Sequence, residues 1–124
     1  MHWTETQLFK GINLNDSFIL SWAYSSDKLS FQLEASIWPE SKHYDTPKPN
    51  EHTCYKVAKL VFENYTDVIG LKDMAEVKPA IDASHELDYG GIDNLEILDG
   101  GYRLEGEFGE VVITDGSMRF EIGT

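Results

Sequence analysis

The chain has 124 residues, 41% of them hydrophobic and 12% aromatic, with 10 basic and 22 acidic side chains and a net charge of −12. This is enough apolar material for one folded domain spanning residues 1–124, and the composition is unlike that of a disordered charged tail. An excess of carboxylates repels phosphate backbones and anionic headgroups, which sets nucleic acids and membrane surfaces aside as partners.

The charge is unevenly placed. Residues 1–81 carry a net −3 and residues 82–124 a net −9, the latter with only Arg103 and Arg119 as cations. A field of that sign favours a basic protein partner, beside its plainer effect on solubility. The lone Cys54 has no partner for an internal disulfide. Met1-His2-Trp3-Thr4-Glu5 does not read as a charged and apolar leader, and the apolar runs, such as Phe18-Ile19-Leu20, are too short to span a bilayer. The expected location is a reducing cytoplasm.

From Ser17 to Tyr24 the large residues Phe18, Leu20, Trp22 and Tyr24 alternate with Ser17, Ile19, Ser21 and Ala23, which predicts a half-buried strand with the large set inward. Asp16 before it is expected to cap backbone amides in a turn. Ser25-Ser26-Asp27-Lys28 supplies turn residues. Leu29, Phe31, Leu33, Ala35 and Ile37 then alternate with Ser30, Gln32, Glu34 and Ser36, and the pair reads as a long hairpin.

Residues 38–55, WPESKHYDTPKPNEHTCY, interrupt this pattern with three of the four prolines, two of the four histidines and the cysteine. A connection of about 14 residues is longer than the usual roughly 4 to 6, and such loops are often functional. Trp38 falls on the polar parity of the preceding strand and is expected to be exposed. Together with His43, Tyr44 and His52 it forms the candidate binding set, because exposed aromatics anchor partners. His43, His52 and Cys54 are also zinc-binding residue types, but their spacing fits no metal module.

Thr53 to Tyr65 predicts a strand buried on both sides in its middle, or bulged there, given Tyr55, Val57 and Val61 on one parity and Ala58, Leu60 and Phe62 on the other. Val57, Leu60, Val61 and Asn64 also fit helical spacing, but the β-branched and aromatic content favours the strand. Residues 66–91 predict at most a short helix over 71–77, ended by Lys78-Pro79, or an irregular loop. Within them, residues 82–93 gather four acids and His85 without the spacing of a calcium loop.

Eight of the ten glycines lie between Gly90 and Gly123. Asp99-Gly100 and Asp115-Gly116 predict type I′ hairpins, with strands over about 92–98, 101–108, 110–114 and 117–122. Tyr102, Leu104, Phe108, Val111, Ile113, Met118, Phe120 and Ile122 would face inward, and Glu105, Glu107, Arg119 and Glu121 outward. The fold class is therefore mainly β: an antiparallel small barrel or sandwich with a C-terminal meander and at most one short helix. Open sheet edges would permit a homodimer.

No G-x-S-x-G, P-loop, G-x-G-x-x-G, H-E-x-x-H or C-x-x-C motif occurs, so no catalytic residue, metal or cofactor is assigned. Asn13-Leu14-Asn15-Asp16-Ser17-Phe18-Ile19-Leu20-Ser21-Trp22, with the turn and Leu29-Ser30-Phe31-Gln32-Leu33 that follow, resembles the opening hairpin of small bacterial β-rich proteins, some of them immunity proteins of toxin systems. The resemblance covers roughly the first 38 residues through its Leu-x-Asp-Ser opening and implies an acidic cytoplasmic inhibitor. The expected function is accordingly a non-enzymatic protein-binding module, of immunity or inhibitor type. The alternative is a small-ligand or enzymatic β-barrel with His43, His52 and His85 near its site.

Overall fold

The computed structural model describes residues 1–81 and 87–123. His85 and the neighbouring acids Asp82 and Glu86 lie outside the described residues. Among the described residues ten antiparallel strands follow two short 3₁₀ turns, Trp3–Glu5 and Gln7–Phe9. They are β1 (Ile12–Tyr24), β2 (Lys28–Ile37), β3 (Cys54–Glu63), β4 (Asp67–Leu71), β5 (Ala80–Ile81), β6 (Leu87–Asp88), β7 (Ile92–Leu98), β8 (Gly101–Gly106), β9 (Gly109–Thr114) and β10 (Ser117–Ile122).

Two four-stranded sheets stack as a sandwich, one in the order β1-β2-β3-β10 and the other β4-β9-β8-β7, and β5 and β6 pair apart from them. This is the sandwich of the two architectures that the strand pattern allowed.

The alternation of β2 survives folding intact. Leu29, Phe31, Leu33, Ala35 and Ile37 are fully buried, because β2 pairs with β3 without a register break from Lys28↔Glu63 to Ile37↔Cys54. In β3 the inward Ala58, Leu60 and Phe62 are buried, and so is Val61 on the opposite face.

β1 departs from its expected parity. Its pairing with β2 slips between Asn13 and Phe18 and again between Ile19 and Ser21. Each slip exchanges the two faces of the strand, so Leu14, Ser17, Ile19 and Trp22 are buried while Phe18 and Leu20 are half-buried and Tyr24 is exposed.

Segment 66–91 also differs from expectation. The short helix over 71–77 shrinks to one 3₁₀ turn, Met74–Glu76, and Asp67–Leu71 forms an edge strand that the sequence pattern did not reveal.

At the Asp99-Gly100 turn neither residue has positive φ, so it is not type I′; Gly101, at φ 148, takes the unusual conformation instead. A Cβ at Gly101 would stand 1.9 Å from the Ile113 carbonyl oxygen. Asp115 and Gly116 do adopt positive φ, at 63 and 92, yet they make a corner and not a hairpin. β7, β8 and β9 form the meander, and β10 crosses to the other sheet to pair with β3 from Ser117↔Glu63 to Ile122↔Ala58.

That corner stacks on the β3-to-β4 corner, where Asn64 at φ 59 turns the chain and Thr66 N donates to Thr114 O at 2.9 Å. The opposite seam is closed by β1, with Ile19 N donating to Gly90 O and Tyr89 N to Ile19 O, both at 2.8 Å.

Between the sheets the space is filled. Phe31 meets Phe108 at 4.8 Å between ring centroids and Phe62 at 6.5 Å, and Phe62 meets Tyr102 at 5.1 Å. All three phenylalanines are fully buried. These rings fill the space between the sheets with side chains, as a packed sandwich core does.

Candidate functional site

The slipped segment of β1 carries Asn13-Leu14-Asn15-Asp16-Ser17 away from a regular ladder, and its polar side chains make up the lost bonds. Asn13 Oδ1 accepts from Asn15 N at 3.1 Å and Asp16 N at 3.3 Å. Ser17 Oγ donates to Asn13 O at 2.7 Å and accepts from Ser36 N at 3.1 Å. Capping thus falls to Asn13, where the sequence pointed to Asp16.

The Asp16 carboxylate is released for another task. Its Oδ2 accepts from Ser36 Oγ at 3.1 Å and from the Tyr55 hydroxyl at 3.2 Å, and lies 3.1 Å from His52 Nε2. Tyr55 OH is also 3.0 Å from that nitrogen, and Ser36 Oγ in turn accepts from Trp38 Nε1 at 3.2 Å. Five side chains separated by up to 39 residues therefore share one hydrogen-bonded network at one end of the first sheet.

An aspartate, a histidine and two hydroxyls in contact invite comparison with a hydrolytic triad, but the bonding is different. A triad needs the nucleophile's proton aimed at the imidazole. Here Ser36 is fully buried and gives its proton to the carboxylate. The Tyr55 phenol is held well above its ordinary range, first by burial and next by the Asp16 charge, so it stays a proton donor. The His52 side chain is 69% exposed, without the exclusion of water that strengthens catalytic electrostatics. The arrangement locks the ends of β1, β2 and β3 together.

Trp38 stands 44% exposed at the junction of this network with a surface cleft of about 630 Å³ lined by Trp3, Phe9, Asn13, Trp38 and Glu40 among others. An adjoining cleft of about 470 Å³ holds His43 with Lys10, Lys42 and the apolar Leu8, Phe120 and Ile122. The two share Gln7, Lys10, Ile12 and Glu40.

Of the four candidate binding residues, Trp38 and His52 thus join one network, with Trp38 also lining one cleft. His43 lines the neighbouring cleft, and Tyr44 is half-buried against the core. Cys54 turns inward at 4% exposure, opposite Ile37, away from the exposed His52. The loop between them is tied down by Trp38 N donating to Gly11 O at 2.7 Å and by a 2.7 Å ion pair of Lys56 with Asp45. That ammonium holds the Asp45 carboxyl below its ordinary value. Among the described residues no group of three or more His, Cys, Asp or Glu side chains is placed to hold a metal ion.

The second sheet presents a different surface. Inward residues Leu95, Leu104, Val111 and Ile113 are buried, so Glu96, Arg103, Val112 and Ile69, which pair in sequence across the four strands, form a row on the outside. Asp67, Glu105, Glu110 and Leu98 share that face. Ile69 is 56% and Leu98 43% exposed, and the one cation among these eight, Arg103, lies 3.5 Å from Glu105. Of these acids sequence reasoning had placed only Glu105 outward; Asp67 and Ile69 escaped it because the strand that carries them was missed, and Arg119 and Glu121, also expected outward, lie on the first sheet.

No helix among the described residues is long and apolar enough to cross a membrane. No protein family, no curated protein and no solved structure matches the chain.

Proposed function

We propose that the protein is a non-enzymatic binding domain that holds a basic protein partner on the outer face of the β4-β9-β8-β7 sheet. The observation that carries this reading is the combination of exposed Ile69 and Leu98 and half-buried Val112 with four carboxylates and one already paired arginine on a single β face. Apolar side chains supply contact area, and unpaired carboxylates steer a cation-rich surface toward it. The packed interior speaks for surface recognition over a ligand held inside a barrel, and the network around Asp16 uses its hydroxyl protons structurally. The particular form is an inhibitor of immunity type, after the resemblance of the opening hairpin, acting in the cytoplasm, where a free buried Cys54 is compatible with reducing conditions.

The test compares capture of cellular proteins by the wild type and by an Ile69→Glu, Glu96→Gln, Glu110→Gln variant, each at low and high salt. A basic protein held by the wild type at low salt, released by salt and absent from the variant eluate supports the proposal. Equal retention by both, or no basic protein, overturns it.

A further inference from the structure

Two four-stranded sheets have four outer edges, and natural β proteins cover or blunt such edges because an unpaired ladder invites another strand. Three of the four are managed here. The β1 edge is taken up by Tyr89 and Gly90 through the two 2.8 Å bonds to Ile19. The β7 edge is capped by the first residues: Ile97 N donates to Met1 O and the Met1 ammonium to Ile97 O, both at 2.7 Å, with His2 bridged to Glu96. The β4 edge is only five residues long and its register breaks between Ile69 and Leu71.

β10 is the exception among the described residues. Its six residues pair with β3 in unbroken register on one side, and no strand lies on the other. It contains no proline, lysine or bulge, and its two charges, Arg119 and Glu121, are of opposite sign. Its inward Met118, Phe120 and Ile122 are only half-buried, whereas their β3 partners Phe62, Leu60 and Ala58 are fully buried.

We infer that β10 pairs with β10 of a second copy of this chain, joining the two β1-β2-β3-β10 sheets into one continuous eight-stranded sheet. The strand is complementary to itself. In an antiparallel pair centred on Phe120, Arg119 faces Glu121 of the second copy, Phe120 faces its own counterpart, and Met118 faces Ile122. Each opposite-charge pair occurs twice by symmetry. Within one chain Arg119 already reaches Glu63 and Glu121, so the charges lie on the outer face of the sheet where the cross-copy pairs would form. A single six-residue ladder buries little area, which sets the pairing at the weak, micromolar end of specific association.

Sedimentation equilibrium of the full chain over micromolar to millimolar concentration tests this. The wild type is expected to rise from its 14.1 kDa monomer mass toward twice that value. Arg119→Glu and Glu121→Arg each place like charges opposite one another twice, and each is expected to weaken dimerisation about tenfold or more. The double variant carrying both substitutions restores complementary pairs and is expected to dimerise like the wild type. Circular dichroism confirms that each variant is folded, and the two single variants perturb Glu63 differently, so one folded variant suffices. A wild type that stays monomeric throughout overturns the inference, as does a dimer indifferent to both single substitutions or not rescued by the double one.

Discussion

Replacing Asp16 by alanine removes the shared acceptor of the network, so the Ser36 hydroxyl loses its acceptor and the Tyr55 hydroxyl is left with His52 Nε2 alone. Ser36 is fully buried, so losing an acceptor for its hydroxyl costs about 1–2 kcal/mol. The half-buried Tyr55 hydroxyl adds about 1 kcal/mol. His52 adds nothing appreciable, because its exposed ring exchanges the carboxylate for water. The total is about 2–3 kcal/mol, which for a domain of this size lowers the melting temperature on the order of 10 °C. Asp16→Asn keeps one acceptor oxygen and should lose roughly half as much. Removing a carboxylate from a chain of net charge −12 would by itself relieve repulsion, so simple electrostatics gives the opposite sign. Thermal and urea unfolding of both variants measure the effect. If both melt within about 1 °C of the wild type, the hydrogen-bonded account of this cluster is wrong.

Other consequences are open to direct measurement. Tyr55, Tyr65 and Tyr102 are all held above the ordinary phenol value of 10.0, each first by burial. The folded state thus keeps phenol protons that the unfolded chain releases, and stability should be full below about pH 10 and decline above it. Urea midpoints followed across the alkaline range check this, and a flat profile would contradict it. Phe31→Ala, at the meeting of Phe62, Phe108 and Trp22, should cost about 3–5 kcal/mol by equilibrium unfolding. Gly116→Ala should destabilise the corner, since φ is 92 there and a Cβ would stand 2.5 Å from the Glu63 carbonyl oxygen, whereas Gly123→Ala, with a similar φ of 83 but no atom within 4 Å, should cost less. Trp38→Phe should remove most of the fluorescence that a soluble quencher can reach, because Trp3 and Trp22 are only 5% and 8% exposed.

How much of this was legible depended on whether local pattern or distant contact set the outcome. β2 could be read residue by residue, since an unbulged strand between two neighbours preserves its period of two. β1 could not, because two slips exchange its faces. The only local hint is the density of Asn and Asp at positions 13, 15 and 16, residues that bond readily to their own backbone. The edge strand Asp67–Leu71 was hidden by its brevity and by Gly70. At positions 99 and 115 the same Asp-Gly pair adopts two different turns: at the first the unusual φ falls on the next residue, Gly101, against Ile113, and at the second on Asp115 and Gly116, against Glu63 and Tyr65. The exposure of Trp38 followed from strand parity. The convergence of Ser36, His52 and Tyr55 on Asp16 did not, since those partners lie 20 to 39 residues away and only the assembled sheet brings them together.

The crossing of β10 to β3 gives the order of synthesis a structural meaning. Until β10 has been synthesised, β3, which carries the buried Leu60, Val61 and Phe62, is the unpaired rim of the first sheet. During translation the chain therefore passes through an interval in which its most apolar ladder is open to other nascent chains, a recognised route to misassembly. A stop after Thr114 would make that interval permanent, so β10 acts as a quality gate: only a chain that has reached Ile122 shields β3.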